Sequence, residues 1–82
     1  MTPLAAEYKR ILEENGWTFE GDCPVCGGTA WKFSYNGHTL KVRKDKDRFT
    51  LKGRKTGTLS PMTIKSLLPT LEKYGLSTKQ PA

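Results

Sequence analysis

Few side chains in this sequence have chemistry to offer. Two cysteines stand in the run Cys23-Pro24-Val25-Cys26-Gly27-Gly28, there is one histidine, His38, and 14 Lys and Arg face 8 Asp and Glu. A Cys-x-x-Cys step followed by glycine has the form of half a zinc knuckle, because a tight turn lets two thiolates reach one ion. A complete site needs four ligands, and with no second cysteine pair it would have to recruit His38 or a carboxylate such as Asp22. Three readings of Cys23 and Cys26 stand side by side: reduced thiols in a loop, a zinc site, and a redox pair. His38, beside an Asn36-Gly37 step, reads as a polar turn residue ahead of a ligand or base. Asp45 and Asp47 belong to a Lys-Asp-Lys-Asp stretch that reads as a solvated turn. The material for an enzyme site is thin.

The cations are more informative, because they are concentrated. Residues 1–31 carry Lys9 and Arg10 against Glu7, Glu13, Glu14, Glu20 and Asp22, a net of −3. Residues 32–57 carry Lys32, Lys41, Arg43, Lys44, Lys46, Arg48, Lys52, Arg54 and Lys55 against Asp45 and Asp47, a net of +7. The whole chain is +6, so its basicity belongs to the middle third. Lysine, arginine and interspersed hydroxyls suit phosphate, since binding releases condensed counterions and Ser or Thr adds hydrogen bonds. The competing reading is a solvated lysine-rich face that protects a sheet from aggregation. The stretch Lys52-Gly53-Arg54-Lys55-Thr56-Gly57-Thr58 adds cations to a glycine-bounded backbone, though it lacks the order of a Walker loop.

Period and punctuation indicate the elements that position these groups. Thr2 and Pro3 can open a helix in which Leu4, Tyr8, Ile11 and Leu12 share one face, and Asn15-Gly16 stops it. Trp17-Thr18-Phe19 starts a strand that the polar run from Glu20 to Thr29 interrupts. Trp31 to Tyr35, Asn36-Gly37 and His38 to Arg43 form the strongest signal, two alternating runs around a two-residue hairpin turn. That register sets Phe33 opposite Leu40 and Trp31 opposite Val42, with Lys32 opposite Lys41 and Ser34 opposite Thr39 on the other side. Arg48 to Lys52 repeats the alternation, and Gly53 to Leu59 reads as a basic loop. Ser60-Pro61 then caps a helix with Ile64, Leu67, Leu68, Leu71 and Tyr74 on one stripe, Gly75 past its end, and Pro69 expected to kink or split it.

These elements predict an α+β, two-layer αβββα domain spanning residues 1–76, with two helices on the aromatic face of a three-stranded antiparallel sheet. Residues 77–82 read as a tail. The opposite sheet face would carry Lys32, Lys41, Arg43, Arg48 and Lys52, with Arg54 and Lys55 in the following loop as further phosphate contacts. The aromatics on the covered face are expected to be core, which leaves backbone and shape readout. With no long apolar run, no membrane span or secretory signal is expected, and the cytoplasm is the default location.

The order of features resembles the HicA-type toxins of bacterial toxin–antitoxin systems, small basic ribonucleases with a double-stranded-RNA-binding-domain-like fold. The likeness lies in Tyr8-Lys-Arg-Ile-Leu-Glu-Glu-Asn-Gly-Trp17, in Gly27-Gly28 before Trp31-Lys32-Phe33, in Thr39-Leu40-Lys41-Val42, and in Lys55-Thr56-Gly57-Thr58-Leu59 followed by a helix ending Tyr74-Gly75-Leu76-Ser77. In that family a histidine just after the glycine pair carries mRNA cleavage, whereas Thr29 and Ala30 stand there in this chain. The resemblance thus implies an RNA-binding fold without the family's general acid or base, and only His38 could replace it. Three functions follow as expectations: a non-catalytic nucleic-acid-binding domain, RNA ahead of DNA; an mRNA interferase using His38; and a module from a mobile element that meets an acidic protein such as an antitoxin. No cofactor is expected other than the zinc reading of Cys23 and Cys26.

Overall fold

The computed structural model describes residues 3–25, 27–59 and 61–76. Thr2, Cys26, Ser60 and the expected tail from Ser77 lie outside the described residues. Pro3 opens helix α1 (Pro3–Glu14), where a missing N–H costs nothing because the first-turn donors have no partner within the helix. Ala5 and Leu12 are buried, and Leu4 and Tyr8 pack against the same core. At the far end Asn15, itself buried, donates from Nδ2 to the Ile11 carbonyl at 2.8 Å. Trp17 follows, and its indole N–H donates to the Leu76 carbonyl at 2.9 Å, joining the exit of the first helix to the end of the last.

The sheet contains more strands than the sequence announces. β1 (Thr18–Val25), β2 (Gly28–Tyr35), β3 (His38–Arg43), β4 (Arg48–Gly53) and β5 (Gly57–Thr58) lie in that order, and β6 (Met62–Thr63) pairs with β4 as well. The expected three strands therefore become a sheet of six, two of them only two residues long. The stretch from Glu20 to Thr29, expected to interrupt the structure, continues β1 through Cys23 and pairs it with β2 as far as Val25 opposite Gly28. It was illegible because an edge strand with both faces largely wet carries no apolar alternation. A bulge between Phe19 and Gly21 also breaks its period. The expected basic loop after Gly53 is a second tight hairpin, with Gly53 opposite Gly57.

The β2–β3 hairpin has the register expected from sequence: Trp31 faces Val42, Lys32 faces Lys41, Phe33 faces Leu40 and Ser34 faces Thr39. Asn36 (φ 49°) and Gly37 (φ 79°) are both left-handed, the requirement of the turn that matches strand twist. Gly57–Thr58 and Met62–Thr63 each pair with β4, and Pro61, just before the second pairing, has no N–H to give a ladder. Pro69 acts as expected. A 3₁₀ turn (Ile64–Ser66) precedes α2 (Leu67–Tyr74), and Pro69 falls in the first turn of α2, where its missing donor is harmless. Gly75 closes that helix in the left-handed conformation.

Trp31, Phe33, Leu40, Val42, Phe49 and Leu51 from the sheet form one buried cluster with Ala5 and Leu12 of α1 and with Ile64, Leu67 and Leu71 from the last segment. Both helices thus contribute to the core on the aromatic side, and the domain is α+β. Among the described residues no helix is long and apolar enough to cross a membrane.

Candidate nucleic-acid interface

Alternation on three strands sends the polar positions to the side opposite the core. Lys32 and Ser34 on β2, Thr39, Lys41 and Arg43 on β3, and Arg48, Thr50 and Lys52 on β4 all alternate with buried residues. The register sorts them into rows across the sheet: Ser34, Thr39, Lys52 and Thr58 in one, Lys32, Lys41 and Thr50 in the next. Directly opposed residues have Cα atoms only about 5 Å apart, so the Lys32–Lys41 pair sets two like charges side by side at a cost in stability.

This face is concave. A recess of about 580 Å³ is lined by Lys32, Thr39, Lys41, Thr50, Lys52 and Thr58, and by the apolar Leu51, Leu59 and Pro61. A smaller one of about 220 Å³ adjoins it, sharing Lys41, Thr50 and Pro61 and adding Arg43, Arg48 and Val25. Among the described residues Lys32, Lys41 and Lys52 make no ion pair. Five of the seven expected phosphate contacts thus lie together. Arg54 and Lys55 do not join them, because they occupy the exposed β4–β5 turn at the end of the sheet.

Arg43 is partly committed. Its Nε lies 3.3 Å from Asp45 Oδ1, and Nη2 donates to the Gly27 carbonyl at 3.3 Å. That bond holds the Asp45 carboxyl below the usual aspartate range. A side chain at position 28 would touch the ends of both members of the pair. Beside it Lys44 reaches Asp22 at 2.9 Å.

His38 has a role that sequence reasoning missed. It is 2% exposed. The Lys55 backbone N–H donates to Nε2 at 3.1 Å, so Nδ1 carries the proton and faces the Asn36 carbonyl at 2.9 Å. The ring lies so close over Gly53 that a Cβ there would overlap it. His38 thereby clasps the β2–β3 turn to the basic β4–β5 turn. A general base needs a lone pair aimed at substrate, and here that lone pair is already taken. Nor does His38 approach Gly28: it pairs with Tyr35, at the opposite end of β2. The only sequence signal was the isolated glycine ending an alternating strand, a mark of close approach.

Cys23 lies in β1 opposite Ala30, with its thiol 3.6 Å from the Pro24 carbonyl, while Cys26 is outside the described residues. The other expected ligands are engaged elsewhere, Asp22 by Lys44 and His38 by two backbone groups. Among the described residues no three His, Cys, Asp or Glu side chains gather as a metal would require.

No family model matches the chain. Neither a curated protein nor a solved structure gives a significant match.

Proposed function

We propose that this chain is a small nucleic-acid-binding domain, RNA ahead of DNA, that grips the sugar–phosphate backbone with the concave face of its sheet and performs no cleavage. The observation that carries the reading is the cluster of Lys32, Lys41 and Lys52 in one recess with no carboxylate among them. Like charges set directly opposite one another destabilise a sheet. Polyanion binding offsets that repulsion and releases counterions as well. Arg43 and Arg48 extend the cationic track past one end, and Arg54 and Lys55 past the other. The preference for RNA rests on the resemblance of sequence features. Binding without cleavage is supported by His38, the sole histidine, having both ring nitrogens bound to backbone.

Fluorescence anisotropy with a labelled oligonucleotide across a salt series tests this reading. The logarithm of affinity should fall linearly with the logarithm of salt, by about 0.7 to 0.9 per phosphate contacted. Lys41→Gln should shallow the slope by about one contact. Affinity that stays constant between low and moderate salt refutes the electrostatic mechanism, and shortening of the labelled strand during incubation refutes the absence of cleavage.

A further inference from the structure

The recess has a shape as well as a charge, and the shape narrows the ligand. We infer that the recess is a seat for an unpaired strand, taking about one or two nucleotides by their sugar–phosphate while the bases stay outside. The inference rests on the nucleic-acid reading above and adds strandedness to it.

Three observations combine. The first is size: about 580 Å³ lies within the range of sites that enclose a small ligand, too small for a duplex to enter. The recess runs from Lys32 on β2 to Thr58 on β5, three strand spacings or about 14 Å, narrower than a double helix. The second is the wall. Gly57–Thr58 and Met62–Thr63 pair with β4, and Leu59 and Pro61 line the recess together with the lysines, so the lysines lie in a space shared with apolar side chains and narrower than a double helix. A flexible single strand can bend in. The third is the lining. Thr39, Thr50 and Thr58 stand among Lys32, Lys41 and Lys52, and their hydroxyls bond no protein group among the described residues. Three ammonium groups and three hydroxyls are the donors that phosphate and ribose oxygens call for. No aromatic side chain lines the recess, so nothing there stacks a base, and sequence preference should be weak.

The test compares an unstructured oligouridylate of about 8 nucleotides, within the usual site size of single-strand-binding folds, with the same strand annealed to its complement. Measured in one buffer, the single strand should bind the tighter by about tenfold, as expected when a seat accepts only unpaired backbone. Thr50→Val keeps charge, shape and β-strand propensity. It should weaken single-strand binding by about fivefold, the worth of one hydrogen bond, and leave duplex binding unchanged. A duplex that binds as tightly as the single strand, or a Thr50→Val protein with wild-type affinity for the single strand, overturns the seat while leaving nucleic-acid binding intact. Failure of both probes to bind at low salt overturns the nucleic-acid reading itself, and the seat with it. Unchanged circular dichroism of the variant assigns any loss to the site.

Discussion

At one end of the sheet, His38, itself buried, joins the β2–β3 and β4–β5 turns through partly buried hydrogen bonds to backbone. At the other, the β1–β2 hairpin is joined to the end of β3 and the connection after it by Arg43, on the Gly27 carbonyl, and by Lys44, on Asp22; Asp22 and Arg43's other partner, Asp45, are 58% and 49% exposed. The same task, holding two hairpins together beside a cationic face, is done once with a nearly dry aromatic ring and once with wet charges. The difference should show in energy. A buried polar group left without its partner costs the full desolvation of that group, whereas an exposed ion pair trades one set of favourable contacts for hydration of nearly equal worth. The basic turn carrying Arg54 and Lys55 is thus held at the firm end, and the cysteine-bearing hairpin at the loose one.

The sharpest way to break this contrast is Gly53→Ala. The added methyl meets the buried His38 ring rather than a flexible chain end. The expected cost is about 2–3 kcal/mol, or roughly 10–20 °C of melting temperature in a domain of this size. Next in size is His38→Ala, at about 2 kcal/mol, because it strips partners from the Asn36 carbonyl and the Lys55 N–H. The two changes should not add. Without the ring there is nothing for the methyl to strike, so the double variant should be about as stable as His38→Ala alone, and additive losses would show that the ring does not set the requirement for glycine.

At the loose end Asp22→Asn should change stability by no more than about 0.5 kcal/mol, the usual range for an exposed pair. A loss above about 2 kcal/mol by urea denaturation would erase the contrast between the ends. The smallest effect belongs to Asp45→Asn, and its signature lies in pH. Arg43 depresses the folded carboxyl, so any stability from the pair is present above the ordinary aspartate range and is lost as pH falls through the folded value. Melting curves of wild type and variant should differ slightly at neutral pH and converge in acid. A gap that widens in acid would reverse the sign of the proposed interaction.

The two ends also differ in how far the sequence reveals them. Asn36-Gly37 announced its hairpin because only residues tolerant of left-handed backbone fit that turn, and a two-residue turn leaves a single register. Lys32 opposite Lys41 followed from that register alone. The Cys-bearing hairpin gave no such signal. The strand entering it is an exposed edge without apolar alternation, and the Lys44–Asp22 pair joins residues that nothing in the local sequence connects. His38 was misread for a related reason. A histidine next to a turn is ordinarily wet, and here burial comes from Gly53 and Lys55, residues of a different hairpin.

Alternation and turn chemistry by themselves determined that β2, β3 and β4 share one greasy and one cationic face. Side chains on a strand must point to opposite sides, and the sequence writes that period directly. They also determined that two helices form, a local matter of spacing, but not where the second begins: α2 starts at Leu67 rather than after the expected cap Ser60-Pro61, because Met62 and Thr63 pair with β4 instead. Only the tertiary structure decided that the cationic face is hollow. Part of its lining, Thr58, Leu59 and Pro61, comes from chain beside the short pairings of Gly57–Thr58 and Met62–Thr63 with β4, too brief to carry a period of their own. Only that structure also turned the sole histidine from a candidate for catalysis into a clasp, since which groups meet a ring nitrogen depends on how separate hairpins stack, a long-range fact with no local trace.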